Sequence, residues 1–244
     1  MSIFSVEGRI CCITGAGRGI GHMLARSLSD RGASVIGIDL EFPDEDEFFE
    51  HRIKLDLSVP GEVWGMFGEI QSVFERIDVL VNCAGVTKPS EGEYPYEKWK
   101  DTFSVNVDAA FLVTKSLLPL LEKSKSPSVI NITSINESLG FPNNPAYVSS
   151  KAALSGLTRS QSVDLGIKNV RVNSIAPGYF KTDMTGESWA DEEKRRARSD
   201  RTSLGRWGEV DELVGPMIFL ASEASSYVTG HSLFVDGGWT TKGL

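Results

Sequence analysis

The sequence predicts an α/β protein: a single doubly wound (Rossmann) domain with a parallel sheet of about seven strands and helices on both faces. Short apolar runs alternate with longer amphipathic stretches along the 244 residues. Most of these runs are continuous rather than alternating, which is typical of strands covered on both faces. No repeat, low-complexity tract or linker divides the chain, so we expect one domain over residues 1–244.

The predicted strands and helices follow one another as βαβ units require. Strands are predicted at 9–14, Ser34–Asp39, 52–56, Val79–Asn82, 128–133, 170–176 and Ser232–Val235. Helices are predicted at 19–30, 60–76, 99–124, 146–168 and 209–221.

Two segments interrupt this alternation. Residues 41–50 are rich in Asp and Glu, and we expect a solvated acidic turn there. Residues 178–208 are long for a connection, and such segments usually form lids or binding loops, so we expect a substrate loop. Its Arg195, Arg196 and Arg198 are expected on a solvated helical face, although they could instead clamp an anion.

Composition and charge limit the function classes. The chain has 25 basic and 33 acidic side chains, a net charge of −8, which argues against a nucleic-acid partner. Charges near the start argue against a signal peptide, and no apolar run approaches the roughly 20 residues that span a bilayer, so no membrane partner is expected. The cysteines, Cys11, Cys12 and Cys83, lack metal-ligand spacing. We expect reduced thiols, no metal and a cytoplasmic location.

A glycine-rich turn joins the first predicted strand to the first helix, in the sequence Thr14-Gly15-Ala16-Gly17-Arg18-Gly19-Ile20-Gly21. Glycines let the backbone approach a pyrophosphate, whose charge is stabilised by the free N–H groups of a helix N-terminus. The spacing G-x-x-x-G-x-G differs from the usual template G-x-G-x-x-G. The strand before it and the helix after it nevertheless indicate a dinucleotide-binding turn, with contacts from Gly15, Gly17, Arg18, Gly19, Ile20 and Gly21.

Asp39 ends the second predicted strand and bears on the choice of cofactor. A carboxylate at this position accepts hydrogen bonds from the ribose hydroxyls of NAD and repels a 2′-phosphate. Arg18 has the opposite effect, because a guanidinium could receive that phosphate. No Lys or Arg follows Asp39 until Arg52, so the sequence favours NAD over NADP.

Three polar residues after the fifth predicted strand form a candidate catalytic group. Tyr147 and Lys151 are four residues apart and lie one turn from each other on one helix face. A nearby ammonium favours the phenolate, so the pair suits a general acid/base that moves a hydroxyl proton. Ser134 can donate a hydrogen bond to a carbonyl oxygen as negative charge develops there.

With these pieces in order, the sequence resembles the short-chain dehydrogenase/reductase family over nearly its whole length. The spacing of 13 between Ser134 and Tyr147 is usual in that family. The matching pieces are the turn at 14–21, Asp39, Asp56-Leu57, Asn82-Cys83-Ala84-Gly85, Asn106, Ser134, Tyr147 with Lys151, Pro177-Gly178 with Thr182, and Val235-Asp236-Gly237-Gly238. One departure is Cys83, where the family generally has a second Asn.

The resemblance implies a role for each of these residues. Tyr147 would be the acid/base, Ser134 would polarise the substrate oxygen, and Lys151 would lower the pKa of Tyr147 and hold the nicotinamide ribose. Asn106 would anchor a water that relays protons from Lys151. Further cofactor contacts are implied for Asp56, Leu57, Asn82, Ala84, Gly85, Pro177, Gly178 and Thr182. Family members are usually tetramers, so a homotetramer is expected.

The substrate is expected to be a polar small molecule. Side chains that suit polyol hydroxyls precede Tyr147 or lie in the substrate loop, and with Ser134 and Tyr147 we predict substrate contacts at Asn136, Glu137, Asn144 and Tyr179. Asn143-Asn144-Pro145 is also ordinary turn chemistry. Segments 178–182 and 201–208 resemble family members that act on aldonates. We therefore predict hydride transfer between a nicotinamide and a secondary alcohol or ketone of a sugar-like or hydroxy-acid substrate.

Three alternatives remain. A 3-oxoacyl-thioester reductase shares this architecture but would normally use NADPH, against which Asp39 counts. An enoyl reductase is disfavoured because such relatives place Tyr and Lys further apart. A non-catalytic dinucleotide sensor would not need Asn106, Ser134, Tyr147 and Lys151 together.

Overall fold

A parallel sheet of seven strands forms the middle layer of the computed structural model, in the order β3-β2-β1-β4-β5-β6-β7. The structure describes residues 2–43, 46–90 and 92–242; Asp44 and Glu45 of the predicted acidic turn lie outside the described residues. The strands are β1 Ile10–Thr14, β2 Ser34–Asp39, β3 His51–Lys54, β4 Val79–Asn82, β5 Ser128–Ile132, β6 Arg171–Pro177 and β7 Ser232–Val235. The predicted fold class is confirmed.

Helices cover both faces of the sheet. They are α1 Gly19–Ser29, α2 Pro60–Val73, α3 Tyr96–Phe103, α4 Ala109–Leu121, α5 Pro145–Gly166, α6 Gly186–Ala190, α7 Glu192–Arg201 and α8 Val214–Ala221. Along β1, Cys11 and Ile13 belong to the core on the face of α1 and α8, whereas Cys12 belongs to the core on the face of α2 and α4. Both faces are therefore buried, which explains why the strands are continuous apolar runs.

Several predicted boundaries are wrong. The helix predicted at 99–124 begins at Tyr96, ends at Leu121, and is divided by a π-helical segment, Ser104–Asp108. The helix predicted at 209–221 begins as a 3₁₀ turn, Val210–Leu213, before α8. The third strand ends at Lys54, so Leu55 and Asp56 lie beyond it. The substrate loop at 178–208 carries α6 and α7.

An 18-residue window of the helical stretch Tyr96–Leu121 is apolar enough to span a bilayer by length and composition alone. Half of that window is buried inside the fold, where α4 packs against α2 and β4. This burial is typical of a core helix.

The strand order places a crevice at one edge of the sheet. Strand β1 pairs with β2 on one side and with β4 on the other. Strands β2 and β3 are therefore added on one side of β1, whereas β4 to β7 are added on the opposite side, and the order reverses between β1 and β4. In open parallel sheets, ligands bind at this reversal, beyond the carboxyl ends of the strands.

Candidate active site

A cavity of about 480 Å³ lies at this edge. Most of the predicted site residues line it: Gly15, Arg18, Gly19, Ile20, Gly21, Asp39, Asp56, Leu57, Ala84, Gly85, Ser134, Tyr147, Lys151, Pro177, Gly178 and Thr182. They lie at or just beyond the carboxyl ends of β1, β2, β3, β4, β5 and β6, or in the first two turns of a helix. The fold thus gathers segments that are far apart in sequence into one wall.

The glycine turn is packed too tightly for side chains. Gly15 has a φ of +68°, and a Cβ atom there would lie 2.8 Å from the Cα atom of Ala84. A Cβ atom on Gly17 would collide with the carbonyl oxygen of Glu41, and one on Gly21 with the carbonyl oxygen of Gly15. Glycine is therefore required at all three positions.

Helix α1 begins at Gly19, beside the cavity, and no side chain of the described residues caps it. Its first N–H groups consequently remain available to an anion, which the helix dipole also favours. A Cβ atom on Gly19 would meet open space, so the backbone borders free volume at this point. These features fit the pyrophosphate of a dinucleotide.

The carboxylate of Asp39 is fixed by the turn that it faces. One oxygen accepts a hydrogen bond from the Gly17 N–H group at 2.8 Å, and the other accepts one from the Leu40 N–H group at 2.7 Å. Arg18 also lines this end of the cavity. The carboxylate and the guanidinium on which the cofactor prediction depends therefore lie in the same region.

The backbone after β4 approaches the turn closely. The N–H groups of Cys83 and Ala84 both donate to the Thr14 hydroxyl, at 3.1 and 3.2 Å. The Cys83 side chain lines the cavity, and burial raises the pKa of its thiol to about 12. The presence of Cys83, where the family generally has Asn, therefore leaves the close approach of Ala84 to Gly15 intact.

Ser134, Tyr147 and Lys151 converge at the cavity. Ser134 lies just beyond β5, and Tyr147 and Lys151 lie in the first two turns of α5. The Lys151 ammonium nitrogen is 5.6 Å from the centroid of the Tyr147 ring and donates a hydrogen bond of 2.8 Å to the Ile132 carbonyl. Ser134 lies close enough to the Tyr147 phenol to lower the pKa of that phenol. One hydroxyl, one phenol and one amine thus face a common space.

Burial dominates the protonation of Tyr147 and Lys151. Burial raises the pKa of Tyr147 to about 12, and the opposing effect of Ser134 offsets only part of this rise. Burial also lowers the pKa of Lys151 from 10.5 to about 8. Both charged forms lose hydration in this site, so burial disfavours the phenolate and the ammonium alike. The lowering of the Tyr147 pKa by Lys151 stays a prediction.

Asn106 does not line the cavity; it lies buried in the π-helical segment. Its side-chain oxygen accepts from the Val86 N–H group at 2.8 Å, while its side-chain nitrogen donates to the Val86 carbonyl and to the Ser150 hydroxyl. The side chain therefore ties the segment after β4 to α5. Its predicted role in a proton relay stays a prediction.

Asn82 and Gly17 also lie behind the cavity wall. The Asn82 amide donates to Asn131 at 2.8 Å and to Thr114 at 3.1 Å, which joins β4 to β5 and α4. Gly17 lies under Asp39, to which it donates its N–H group. Both residues shape the wall through their neighbours.

The predicted substrate residues near Ser134 bond mainly to the protein. Asn136 bonds to Ser134 through its side-chain oxygen and its N–H group, and the Asn144 amide donates to Thr87 at 2.7 Å. One carboxylate oxygen of Glu137 accepts from Ser155, and the other is buried with no partner among the described residues. None of the three lines the cavity.

Tyr179 packs in an aromatic cluster beside the cavity. Its ring centroid is 5.0 Å from Trp207, 5.1 Å from Trp239 and 6.2 Å from Phe141. Its phenol is close enough to Tyr147 to raise the pKa of that residue. Tyr179 thus lies next to the catalytic group without lining the cavity.

Several lining residues were not predicted. Most of them adjoin residues that were, so the signal available in the sequence was adjacency to a strand end or to a matched motif. They are Leu40, Leu55, Val86, Thr87, Val105, Ile132, Thr133, Asp183 and Thr185. Across residues 2–43, 46–90 and 92–242, no group of three or more His, Cys, Asp or Glu side chains could hold a metal.

Comparison with known proteins agrees with this geometry. A family model described as enoyl-(acyl carrier protein) reductase matches residues 15–240. The chain is 37% identical over 246 residues to the 5-keto-D-gluconate 5-reductase of Escherichia coli K12, with 97% of each chain covered. It is 35% identical over 250 residues to the 2-dehydro-3-deoxy-D-gluconate 5-dehydrogenase of Bacillus subtilis 168, covering 98% of this chain and 97% of the relative.

A solved structure shows the same arrangement of the whole chain. The gluconate 5-dehydrogenase of Burkholderia cenocepacia J2315, in complex with NADP and tartrate, superposes with a TM-score of 0.91 at 34% identity and 98% coverage of each chain. On the match over residues 15–240 and these full-length similarities, the chain belongs to the short-chain dehydrogenase/reductase family and is an NAD(P)-dependent oxidoreductase.

Proposed function

We propose that the protein interconverts a secondary hydroxyl and a ketone on a sugar acid such as gluconate, with NAD as the cofactor. The observation that carries this proposal is the convergence of Ser134, Tyr147 and Lys151 at the same cavity as the glycine turn. Relatives named for gluconate, keto-gluconate and deoxy-keto-gluconate support the substrate class.

A nicotinamide dinucleotide held in the cavity supplies the acceptor or donor of the hydride. The N–H groups at the start of α1 would bind its pyrophosphate, and Asp39 its adenosine ribose. Asp56 and Leu57 line the cavity where the adenine would lie, while Gly178 and Thr182 would border the nicotinamide.

Tyr147 and Ser134 transfer the substrate proton and position the substrate oxygen. In the oxidation direction the Tyr147 phenolate takes the proton of the substrate hydroxyl, and in the reduction direction the phenol returns it. The Ser134 hydroxyl donates to the substrate oxygen and holds it against Tyr147. Because burial favours the neutral phenol, Tyr147 is well protonated for reduction near neutral pH.

The proposed preference for NAD rests on Asp39. Its two oxygens already accept from backbone N–H groups, which fixes the carboxylate where a 2′-phosphate would approach. The solved relative from Burkholderia cenocepacia binds NADP, so the preference has to be measured for this chain. Arg18 is the residue that would support NADP here.

We further propose a cytoplasmic homotetramer. Large apolar side chains of α4, of α5 and of the residue after α5 are exposed, with Phe111 at 43%, Val163 at 74% and Ile167 at 89%, and such faces usually mark protein contacts. Cys11, Cys12 and Cys83 are unpaired, in keeping with a reducing compartment. Light scattering after gel filtration measures the oligomer.

A substrate screen tests the proposed function. The purified protein is assayed with NAD and NADP, or their reduced forms, against gluconate, 5-keto-gluconate, uncharged polyols, apolar ketones and 3-oxoacyl thioesters. The proposal predicts the highest kcat/KM for a sugar acid with NAD. Reduction of a 3-oxoacyl thioester with NADPH as the best activity would support the reductase alternative instead. Cofactor binding without turnover of any compound would indicate a sensor.

A further inference from the structure

The arginine side chains of α7 differ in their contacts with the rest of the protein. Arg196 is expected on a solvated face, and its side chain is 83% exposed and paired with Asp200 at 3.8 Å. Arg195 donates to the carbonyl of Trp189 at 3.0 Å. The side chain of Arg198 makes no hydrogen bond or ion pair within the described part of the chain, and its Nε atom is buried. Within the described residues, the N–H donors of its guanidinium therefore have no acceptor.

Arg198 lies against the wall of the active site. Its guanidinium carbon is 4.8 Å from the centroid of the Tyr179 ring. Tyr179 stands between Gly178 and Phe180, which both line the cavity, and its phenol influences the pKa of Tyr147. One aromatic ring thus separates Arg198 from the catalytic group.

The cavity itself offers a substrate anion little positive charge. Among its described lining residues the carboxylates are Asp39, Asp56 and Asp183, and the cations are Arg18 and Lys151. Arg18 belongs to the glycine turn, and Lys151 is only 4% exposed and donates to Ile132. A carboxylate placed there without a partner would pay a large desolvation cost.

We propose that Arg198 binds the carboxylate of the sugar-acid substrate and so selects acids over uncharged polyols. This inference rests on the proposed function and adds a residue that determines specificity. A guanidinium presents parallel N–H donors that match a carboxylate, and the guanidinium of Arg198 packs against the ring of Tyr179. Arg198 does not line the cavity. We therefore place the N–H donors of its guanidinium at the edge of the Tyr179 ring, where they meet the carboxylate of the bound acid.

Paired ligands, one charged and one uncharged, with the same hydroxylated carbon chain test this role. Gluconate is compared with sorbitol as substrate, because sorbitol replaces the one carboxylate by CH₂OH. Tartrate is compared with threitol as competitive inhibitor, because threitol replaces both carboxylates by CH₂OH. Arg198→Met removes the charge but keeps most of the apolar stem, and Arg198→Lys keeps the charge without the fork. Arg196→Met, on the exposed face of the same helix, is the matched control.

We expect Arg198→Met to raise the KM for gluconate and the inhibition constant of tartrate by roughly tenfold to a hundredfold, as the loss of a charged hydrogen bond requires, with kcat changed by less than about threefold. The constants for sorbitol and threitol should stay within about twofold, as should every constant of Arg196→Met. Arg198→Lys should fall between, which also covers the case in which Arg198→Met does not fold.

Three results would overturn the inference. The first is an unchanged KM for gluconate in both Arg198 variants. The second is an equal loss for charged and uncharged ligands, which would indicate a structural role under Tyr179. The third is a wild-type enzyme that turns over polyols or apolar ketones but no sugar acid, and only this one also rejects the proposed substrate class.

Discussion

Replacing Lys151 by Met should make the protein more stable at neutral pH while removing its activity. Lys151 is 4% exposed, and burial lowers its pKa from 10.5 to about 8. At 1.36 kcal/mol per pKa unit, this difference means that the buried ammonium costs about 3 kcal/mol of unfolding free energy at pH 7. Its hydrogen bond to the Ile132 carbonyl stabilises the folded state by about 1 kcal/mol. We therefore expect Lys151→Met to be more stable by about 2 kcal/mol at pH 7.

The dependence of this difference on pH identifies its cause. Between pH 8 and 10.5 the unfolded state binds the Lys151 proton more strongly than the folded state does, so the stability of the wild type rises with pH in this window. Below pH 8 both states are protonated and the full cost is present. From pH 7 to pH 9.5 the wild type should therefore gain about 2 kcal/mol relative to Lys151→Met.

Urea unfolding followed by circular dichroism, at pH 7, 8 and 9.5 and at one protein concentration, measures both effects. Lys54→Met, at an exposed position at the end of β3, is the control and should show no such trend. A stability difference between wild type and Lys151→Met that stays constant with pH, within about 0.5 kcal/mol, would refute the assignment of a buried and destabilised ammonium.

Three further substitutions test the cofactor end and the cavity wall. Asp39→Asn removes the charge but keeps the shape, so the kcat/KM ratio of NAD to NADP should fall about tenfold in steady-state kinetics. Gly21→Ala introduces a Cβ atom that collides with a backbone carbonyl, so denaturant unfolding should show a loss of about 1–3 kcal/mol, whereas Gly65→Ala, where a Cβ atom meets open space on α2, should be neutral or stabilising. Asn106→Ala leaves the N–H group of Val86 without its side-chain acceptor, so it should cost about 1–3 kcal/mol and also lower kcat.

The sequence predicted the sheet well because burial on both faces leaves a strong local signal. Cys11, Cys12 and Ile13 are all apolar since β1 faces one core with Cys11 and Ile13 and the other with Cys12. The candidate catalytic group could be predicted for a similar reason. Tyr147 and Lys151 need only one regular helix to share a face, and α5 provides it.

Features that depend on distant partners could not be predicted from the sequence. The π-helical segment Ser104–Asp108 has no special composition, and it is held by bonds from Asn106 to Val86 and Ser150. The raised pKa of Tyr147 depends on burial by the assembled fold, which spacing does not reveal. The different contacts of the Arg196 and Arg198 side chains likewise depend on Tyr179, which lies outside α7.

Substitution of Tyr147 by Phe tests the central claim most directly, because it removes one hydroxyl and keeps the ring. We expect kcat for the best sugar acid to fall by at least about a hundredfold, as the loss of a general acid/base requires, while the Kd of the cofactor, measured by fluorescence titration, stays within about threefold. Activity close to that of the wild type, with the cofactor still bound, would contradict the account.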